Sequence, residues 1–319
     1  MRRSEIAATT NDSDHAVNKR VVLAGGSGFV GSLLIPEFLK RDYEITVLSR
    51  KAETRRGSVT ILQWDGKTVG DWAKQLNGAE AVINLAGKTI NCRHTPENRR
   101  AILESRVDSV RALGAAIGRC DAPPKIFVQA SAVGIYGDTG ERIADENAPH
   151  GNDFVARVCE EWETAFANVV IPGGRKTLLR LGVVLGINGG FLRVLGRLTR
   201  WFLGGHVGDG CQFVSWIHGA DLTRMFVDAI GQPDMQGTFN ATAPSPARNR
   251  ELMRELRRAL HRPWSPPVPK FAARIGSGLL GTEADLAFIS QRVIPKRLLD
   301  RGFQFEFSDI RSALANICR

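Results

Sequence analysis

The chain lacks any uninterrupted apolar stretch near the roughly 18 to 20 residues that a membrane-spanning helix needs. Its five cysteines are scattered and form no CxxC pair. The sequence therefore lacks the usual signatures of a zinc site, of a redox site and of a secreted fold held together by disulfides. We therefore expect a protein in a reducing cytoplasm, with no resident metal and no membrane partner. At 319 residues and 43% hydrophobic content, it can bury a large core.

The first 18 residues lack the features of a targeting segment. They contain no apolar run of the kind a secretory signal requires, and they mix Arg2 and Arg3 with Glu5, Asp12 and Asp14, whereas transit peptides are poor in acids. We predict a disordered tail over residues 1–18.

Positive charge is abundant in the rest of the chain, whose overall net charge is +10. Arginines spaced i, i+4 and i+7 occur twice, at Arg193, Arg197 and Arg200 and again at Arg250, Arg254 and Arg257. Such a row forms one face of a helix, which is either a solvated surface or a surface that binds an anionic small molecule. No nucleic-acid-reading motif accompanies the charge, so we expect no specific nucleic-acid partner. A homodimer remains open.

Short β-branched runs alternate with amphipathic stretches through the first part of the chain. Strands are predicted at 21–24, 44–48, 81–84, 125–130 and 176–184, and helices at 32–40, 96–118 and 153–167. This alternation predicts an α/β fold of the Rossmann type, a doubly wound parallel sheet with helices on both faces. The Rossmann domain is predicted over residues 19–185, with later strands contributed from 210–245.

Beyond Leu185 the alternation stops. Glycine pairs flank the first arginine row, helices are predicted near Asp221 and Asn249, and the proline-rich stretch 263–269 precedes the C-terminal part. Residues 186–319 are therefore predicted to form mainly a smaller C-terminal substrate lobe, with its own C-terminal region at about 248–310. It should lie over the carboxyl ends of the strands, where open α/β sheets bind ligands.

Three glycines at three-residue spacing, Gly25, Gly28 and Gly31, separate the first strand from the first helix. Glycine allows the tight turn and a close backbone approach, and the helix that follows presents free N–H groups to phosphates. We predict that this turn, with Phe29 and Val30, holds the pyrophosphate of a dinucleotide.

The GxxGxxG spacing resembles the short-chain dehydrogenase/reductase superfamily, and further segments are similar to its extended, epimerase-like branch. These segments are Ser131 to Asp138, Asn84 to Gly87, Ser215 to His218 with Asp221, Asn240 to Pro244, and Ser290 to Lys296. Several resemble one atypical epimerase subgroup, which includes the 39U member of the human superfamily and bacterial proteins labelled cell-division-inhibitor-like. The resemblance covers about residues 20–310. It implies that Leu85, Ala86 and Gly87 pass beneath the cofactor and that Tyr136 lies at the substrate.

The same resemblance implies NADP(H), and the end of the second strand agrees with it. Ser49, Arg50 and Lys51 stand where an NAD-binding protein places an acid for the ribose 2'-hydroxyl. A hydroxyl and a guanidinium there suit a 2'-phosphate. Asp65, after the third strand, is either near the adenine or an ordinary loop cap.

The usual catalytic set of the superfamily is missing. Its enzymes use a helix Asn, a strand-end Ser or Thr, and a YxxxK pair that moves the proton accompanying hydride transfer. Matching positions carry Arg106, Ala132, Phe154 and Val158, and Ser131 lies one residue before the hydroxyl position. Neither of the two tyrosines is followed by a lysine four residues later.

Other groups could replace that set. Ser131 and His94 are the candidate catalytic residues, Arg93 is a candidate for holding an anionic substrate, and Arg106 is predicted to contact the cofactor because it stays charged. His218 and Asp221 are predicted to cap a helix, and Cys159 to be a buried apolar residue.

Two functions follow from these observations. The first is an NADP(H)-dependent oxidoreductase or epimerase-like enzyme with a non-standard catalytic set, acting on a small anionic substrate. The second is a non-catalytic protein that binds NADP(H) and regulates or contacts a partner.

Overall fold

A computed structural model describes residues 19–51, 53–186, 189–274, 283 and 285–319; the predicted tail lies outside these ranges. The strands are β1 (Arg20–Ala24), β2 (Glu44–Ser49), β3 (Thr54–Arg56), β4 (Val59–Gln63), β5 (Ala81–Asn84), β6 (Ile126–Ala132), β7 (Arg175–Leu181), β8 (Val183–Leu185), β9 (Phe213–Val214), β10 (Trp216–His218), β11 (Gly237–Ala241) and β12 (Ala247–Arg248).

Helices connect most of these strands. They are α1 (Phe29–Leu39), α2 (Pro96–Ile117), α3 (Phe154–Ala167), α4 (Gly190–Arg200), α5 (Gly219–Gly231), α6 (Asn249–Ala259), α7 (Lys296–Asp300) and α8 (Ile310–Ile317). Side-chain caps fix several starts: Thr95 accepts from the backbone N–H of Asn98, and Asp153 accepts from that of Ala156. No helix among the described residues is long and apolar enough to cross a membrane.

A parallel sheet forms the centre of the protein. Its order is β11-β7-β6-β5-β1-β2-β4-β3, and every neighbouring pair is parallel except β3 and β4. The order reverses at β1, which lies between β2 and β5. Open α/β sheets bind ligands in the crevice at such a reversal. The predicted fold class, a doubly wound Rossmann sheet, is confirmed.

Hydrophobic side chains cover both faces of this sheet. In β1, Val21 and Leu23 pack into the core on the side of α1 and α5, while Val22 and Ala24 pack into the core on the side of α2 and α3. Because successive strand residues point to opposite faces, an unbroken apolar strand is what a sheet covered on both sides requires.

The strand predicted over 176–184 is in fact two strands. Gly182 interrupts it, and a Cβ at this position would lie 2.8 Å from the carbonyl oxygen of Ser215. The close approach turns β8 out of the central sheet to pair with β10. Glycine inside a strand pattern marks such a close backbone approach.

The segment 290–297 is anchored in the core by Val293. Ala144 donates its N–H to the carbonyl of Arg292, and Val293, which is fully buried, donates its N–H to Ser215 Oγ. Asn240 Nδ2 donates to the carbonyl of Ile294. The C-terminal part of the chain therefore completes the interior next to β6, β10 and β11.

Candidate functional site

The glycine turn after β1 is shaped by two glycines that no other residue could replace. Gly25 has a φ of +74°, and a Cβ there would lie 2.8 Å from the backbone of Ala86. A Cβ at Gly31 would lie 1.9 Å from the carbonyl oxygen of Gly26. At Gly28 the nearest protein atom to a Cβ would be 3.5 Å away, which is ordinary contact. This third glycine leaves open space in front of α1, whose first turn has no side-chain cap.

The end of β2 carries the residues predicted to select the cofactor. Ser49 is buried, its Oγ lies 3.0 Å from Ser27 Oγ, and it also accepts the backbone N–H of Lys51 at 3.2 Å. The side chain of Arg50 is exposed and makes no hydrogen bond or ion pair to the described part of the chain. The glycine turn and the end of β2 therefore share a hydroxyl contact, with a free guanidinium beside it.

Asp65 takes the second of its two predicted roles. Its Oδ1 accepts the backbone N–H groups of Lys67 and Thr68, and its Oδ2 accepts the hydroxyl of Thr68 at 2.7 Å. These hydrogen bonds lower the pKa of the carboxyl group. Both of its oxygens hold its own turn, and the cofactor contact predicted for Asp65 stays a prediction.

The loop after β5 is held by a buried asparagine. Asn84 donates from Nδ2 to Ser109 and Gln129, and its Oδ1 accepts the backbone N–H of Ala86. This fixes Leu85 and Ala86 against the glycine turn, at the carboxyl end of the sheet, and Gly87 follows them in the same loop.

Arg106 lies directly behind that loop. Its Nη1 donates to the carbonyls of Lys88 at 2.8 Å and Ile102 at 2.9 Å. Its Cζ lies 5.1 Å from the ring centroid of Trp162 on α3, within cation–π range. A Cβ at Gly87 would be only 3.2 Å from Cζ. The guanidinium therefore fills the space between the loop and α3.

Phe154 occupies the position of the usual tyrosine and packs against a histidine and an arginine. The ring of His94 meets it edge-on at 5.1 Å between centroids, and Arg99 Cζ lies 4.7 Å from its centroid. His94 Nε2 lies 3.0 Å from the carbonyl oxygen of Ile90, and its Nδ1 lies 3.8 Å from Glu283 Oε2. Of the two candidate catalytic residues, His94 is the one that the fold brings beside the tyrosine position.

Arg93 lies next to His94 in the same loop and is exposed. Its carbonyl accepts a hydrogen bond from Asn98 Nδ2 at 2.7 Å.

Ser131 has a structural role instead of the predicted catalytic one. It is buried, and its hydroxyl donates to Glu163 Oε1 at 2.7 Å. Glu163 also accepts from Nε and Nη2 of Arg180, at 3.0 and 2.8 Å. Burial alone would lower the pKa of Arg180, but the hydrogen bond and charge of Glu163 raise it. The Ser131 hydroxyl is thus committed to a buried ion pair.

Tyr136 belongs to the same network and not to a substrate surface. It is 1% exposed, and its hydroxyl donates to Asn240 Oδ1 at 2.7 Å and accepts from Arg180 Nη1 at 2.8 Å. Burial raises the pKa of the phenol. The predicted substrate contact by this hydroxyl is not supported, since the side chain is buried and the hydroxyl both donates and accepts hydrogen bonds inside the protein.

The segment that follows β8 touches the glycine turn through Phe29. A Cβ at Gly186, Gly189 or Gly190 would lie 2.3 to 3.0 Å from atoms of the Phe29 side chain. Phe29 and Val30, predicted as cofactor residues, are the first two residues of α1. Phe29 therefore links the glycine turn to the start of α4.

The comparisons with known proteins agree with this geometry. Residues 21–241 match the model of the NAD dependent epimerase/dehydratase family. The chain belongs to this family. Residues 268–317 match a second family, a domain of unknown function called DUF1731.

Two relatives are similar over nearly the whole chain. The epimerase family protein SDR39U1 homolog, chloroplastic, of Arabidopsis thaliana is 36% identical over 304 residues, covering 93% of this chain and 86% of its own length. The epimerase family protein YfhF of Bacillus subtilis is 33% identical over 299 residues, covering 93% of this chain and 97% of its own. The subgroup expected from the sequence motifs is thereby confirmed.

Solved structures show the same architecture. The human epimerase family protein SDR39U1 (isoform2), solved with NADPH, has a TM-score of 0.84 and 32% identity, covering 94% of this chain and 99% of its own. UDP-N-acetylglucosamine 4-epimerase from Bacillus cereus has a TM-score of 0.73, covering 94% of this chain and 96% of its own, but only 16% identity, so it supports the fold alone.

The sequence alone missed Glu283, Arg99 and the pairing of Glu163 with Arg180. Glu283 is separated from His94 by 189 positions, so no spacing rule could join them. Arg99 follows His94 on the first turn of α2, and a helix-face argument could have placed it near the same site.

Proposed function

We propose that this protein is an NADP(H)-dependent oxidoreductase or epimerase-like enzyme acting on a small anionic substrate, with His94 in place of the missing tyrosine. The single observation that carries the proposal is the packing of His94 on Phe154, at 5.1 Å between centroids. An imidazole is the side chain best suited to exchange a proton near neutral pH. It stands beside the residue where the family resemblance expects the proton donor.

The residues of the glycine turn fit a dinucleotide. The positive φ of Gly25 and the absence of a side chain at Gly31 let the glycine turn run close to the N-terminus of α1. The free backbone N–H groups at that N-terminus suit a pyrophosphate. The uncommitted guanidinium of Arg50 suits a 2'-phosphate. The NADPH found with the human relative supports the same cofactor here.

When bound, the nicotinamide would supply or accept the hydride, and a side chain of the protein would donate or accept the accompanying proton. His94 Nε2 faces the Ile90 carbonyl at 3.0 Å, which assigns that nitrogen as the donor and leaves Nδ1 to gain and lose a proton. Nδ1 lies 3.8 Å from Oε2 of the Glu283 carboxylate. The pair is thus a candidate proton reservoir for the reaction.

The charge around this pair supports an anionic substrate. Arg99 lies over Phe154, and Arg93 and Lys88 belong to the same loop region. Guanidinium groups are suited to hold carboxylates and phosphates in a fixed orientation.

A label-exchange experiment tests the proposal. NADPH carrying deuterium at the transferable position is incubated with the protein and a panel of small 2-oxo acids and phosphorylated sugars. Mass spectrometry then follows transfer of the label to substrate. We expect His94→Gln to abolish transfer and Glu283→Gln to slow it, while NADPH affinity is retained. The exposed His261→Asn is the matched control and should transfer label normally.

The second candidate is a non-catalytic NADP(H)-binding protein. It is favoured by one observation: both hydroxyls near the β6 end, those of Ser131 and Tyr136, are committed to internal hydrogen bonds. Tight NADPH binding without label transfer to any member of the panel would contradict the enzymatic proposal and support this one.

A further inference from the structure

Arg106 is a partly buried guanidinium whose hydrogen-bond partners are two backbone carbonyls, those of Lys88 and Ile102. No carboxylate pairs with it among the described residues. Glu163, one of the three acids on the neighbouring helix α3, is already shared by Ser131 and Arg180. A buried charge without a counter-charge is costly, and proteins that keep one commonly use it at a functional site.

The ionisable side chain that interacts with Arg106 does not neutralise it. Cys159 interacts electrostatically with Arg106, but burial raises the pKa of its thiol to about 12. The thiol is therefore uncharged near neutral pH, and Arg106 retains its full positive charge within the protein.

Arg106 lies between the 85–88 loop and α3, where we expect the nicotinamide end of the cofactor. Its guanidinium packs on Trp162, which is one helical turn beyond Val158, the position of the usual lysine. It also contacts Gly87, in the loop expected beneath the cofactor. Val158 therefore stands where the family usually has a lysine, and the Arg106 guanidinium reaches the same region from α2.

We infer that Arg106 makes this site selective for the reduced cofactor, NADPH, over the oxidised cofactor, NADP+. This inference rests on the proposed NADP(H) binding but not on turnover. The oxidised nicotinamide ring carries a positive charge and the reduced ring is neutral, while the ribose and phosphate groups are the same. A fixed buried cation beside the ring therefore raises the free energy of the oxidised complex alone.

The size of the effect follows from Coulomb's law. With an effective dielectric constant of about 20, two unit charges separated by about 6 to 12 Å repel enough to change an equilibrium by about a hundredfold to tenfold. For a two-electron couple, that range raises the potential of the bound cofactor by about 60 to about 30 mV. Bound NADPH would be retained selectively and would be a weaker hydride donor than free NADPH.

The experiment compares the two redox forms on the same protein. NADPH and NADP+ are titrated calorimetrically into the wild type, Arg106→Met, Arg106→Lys and Arg50→Ala. We expect the wild type to bind NADPH at least about tenfold more tightly. Arg106→Met should bring the ratio near one, mainly by strengthening NADP+, and Arg106→Lys should restore the preference.

Arg50→Ala is the matched control, because it removes the same charge at the 2'-phosphate that both forms carry. It should weaken both cofactors equally and leave their ratio unchanged. Equal affinities in the wild type, or an equal loss of both forms in Arg106→Met, would overturn the inference, since the second result would place Arg106 on the pyrophosphate.

Circular dichroism establishes that each variant is folded, and Arg106→Gln replaces Arg106→Met if the latter is not. Absence of label transfer would sink the enzymatic proposal while leaving this binding ratio intact, so the two failures can be told apart.

Discussion

Replacing Arg50 by alanine should remove most of the preference for NADPH over NADH. Ser49 is buried and already contacts Ser27 and the Lys51 backbone, so its hydroxyl is prepositioned, whereas the exposed Arg50 guanidinium has no partner in the described part of the chain. A charge-assisted hydrogen bond contributes about 1.5 to 3 kcal/mol. This corresponds to about tenfold to a hundredfold in affinity, and solvent screening at an exposed site favours the lower end.

Calorimetric titration of NADPH and NADH into the wild type and Arg50→Ala measures this preference. The variant should bind NADPH more weakly and NADH nearly as before. Arg119 is an exposed arginine between α2 and the start of β6. Arg119→Ala removes the same charge and should change neither affinity. Equal affinities of the wild type for the two cofactors, or a variant with undiminished preference, would show that the 2'-phosphate is held elsewhere.

Three further outcomes can be measured. Gly31→Ala should lower the melting temperature because its Cβ would collide with a backbone carbonyl, whereas Gly28→Ala should leave it nearly unchanged and weaken NADPH in titrations. Glu163→Gln should cost about 3 to 5 kcal/mol in urea unfolding by leaving Arg180 buried and unpaired; a loss below about 1 kcal/mol would contradict the buried ion pair. Burial lowers the pKa of His218 in the folded state below the value of 6.5 for the free side chain. The free energy of unfolding is therefore highest above about pH 6.5, where the ring is neutral in both states, and it falls as the pH drops through the folded-state pKa. Below pH 6.5 the wild type should lose stability faster than His218→Asn, which keeps the helix cap, by at most about 1.4 kcal/mol per pH unit; parallel pH profiles would refute this.

The sequence predicted those parts of the fold that depend on local pattern. Alternating apolar strands and amphipathic helices specify a doubly wound sheet, and the glycine turn is recognisable because steric limits act between nearby residues. His218 was correctly predicted to cap a helix, since its Nδ1 accepts the backbone N–H of Ala220. Asp221, predicted to share that role, instead accepts the backbone N–H groups of Glu306 and Phe307.

The roles of polar side chains were harder to predict, because they depend on partners distant in sequence. Ser131 and Tyr136 stand where the motif suggests chemistry, but Glu163, Arg180 and Asn240 arrive from other elements and take up both hydroxyls. The substrate, the compartment, a homodimer and the absence of a nucleic-acid partner stay predictions.

The buried Val293 within 290–297 ties the C-terminal region to the rest of the protein. Residues 268–317 match a family of their own, a domain of unknown function. Val293 within them is nevertheless buried in the interior, and its N–H donates to Ser215 Oγ. A frameshift before Ser290 would leave Ser215 Oγ and Asn240 Nδ2 without partners and open a hole beside β6. The expected product is a chain degraded by cellular proteases, so the two regions should pass between genomes together.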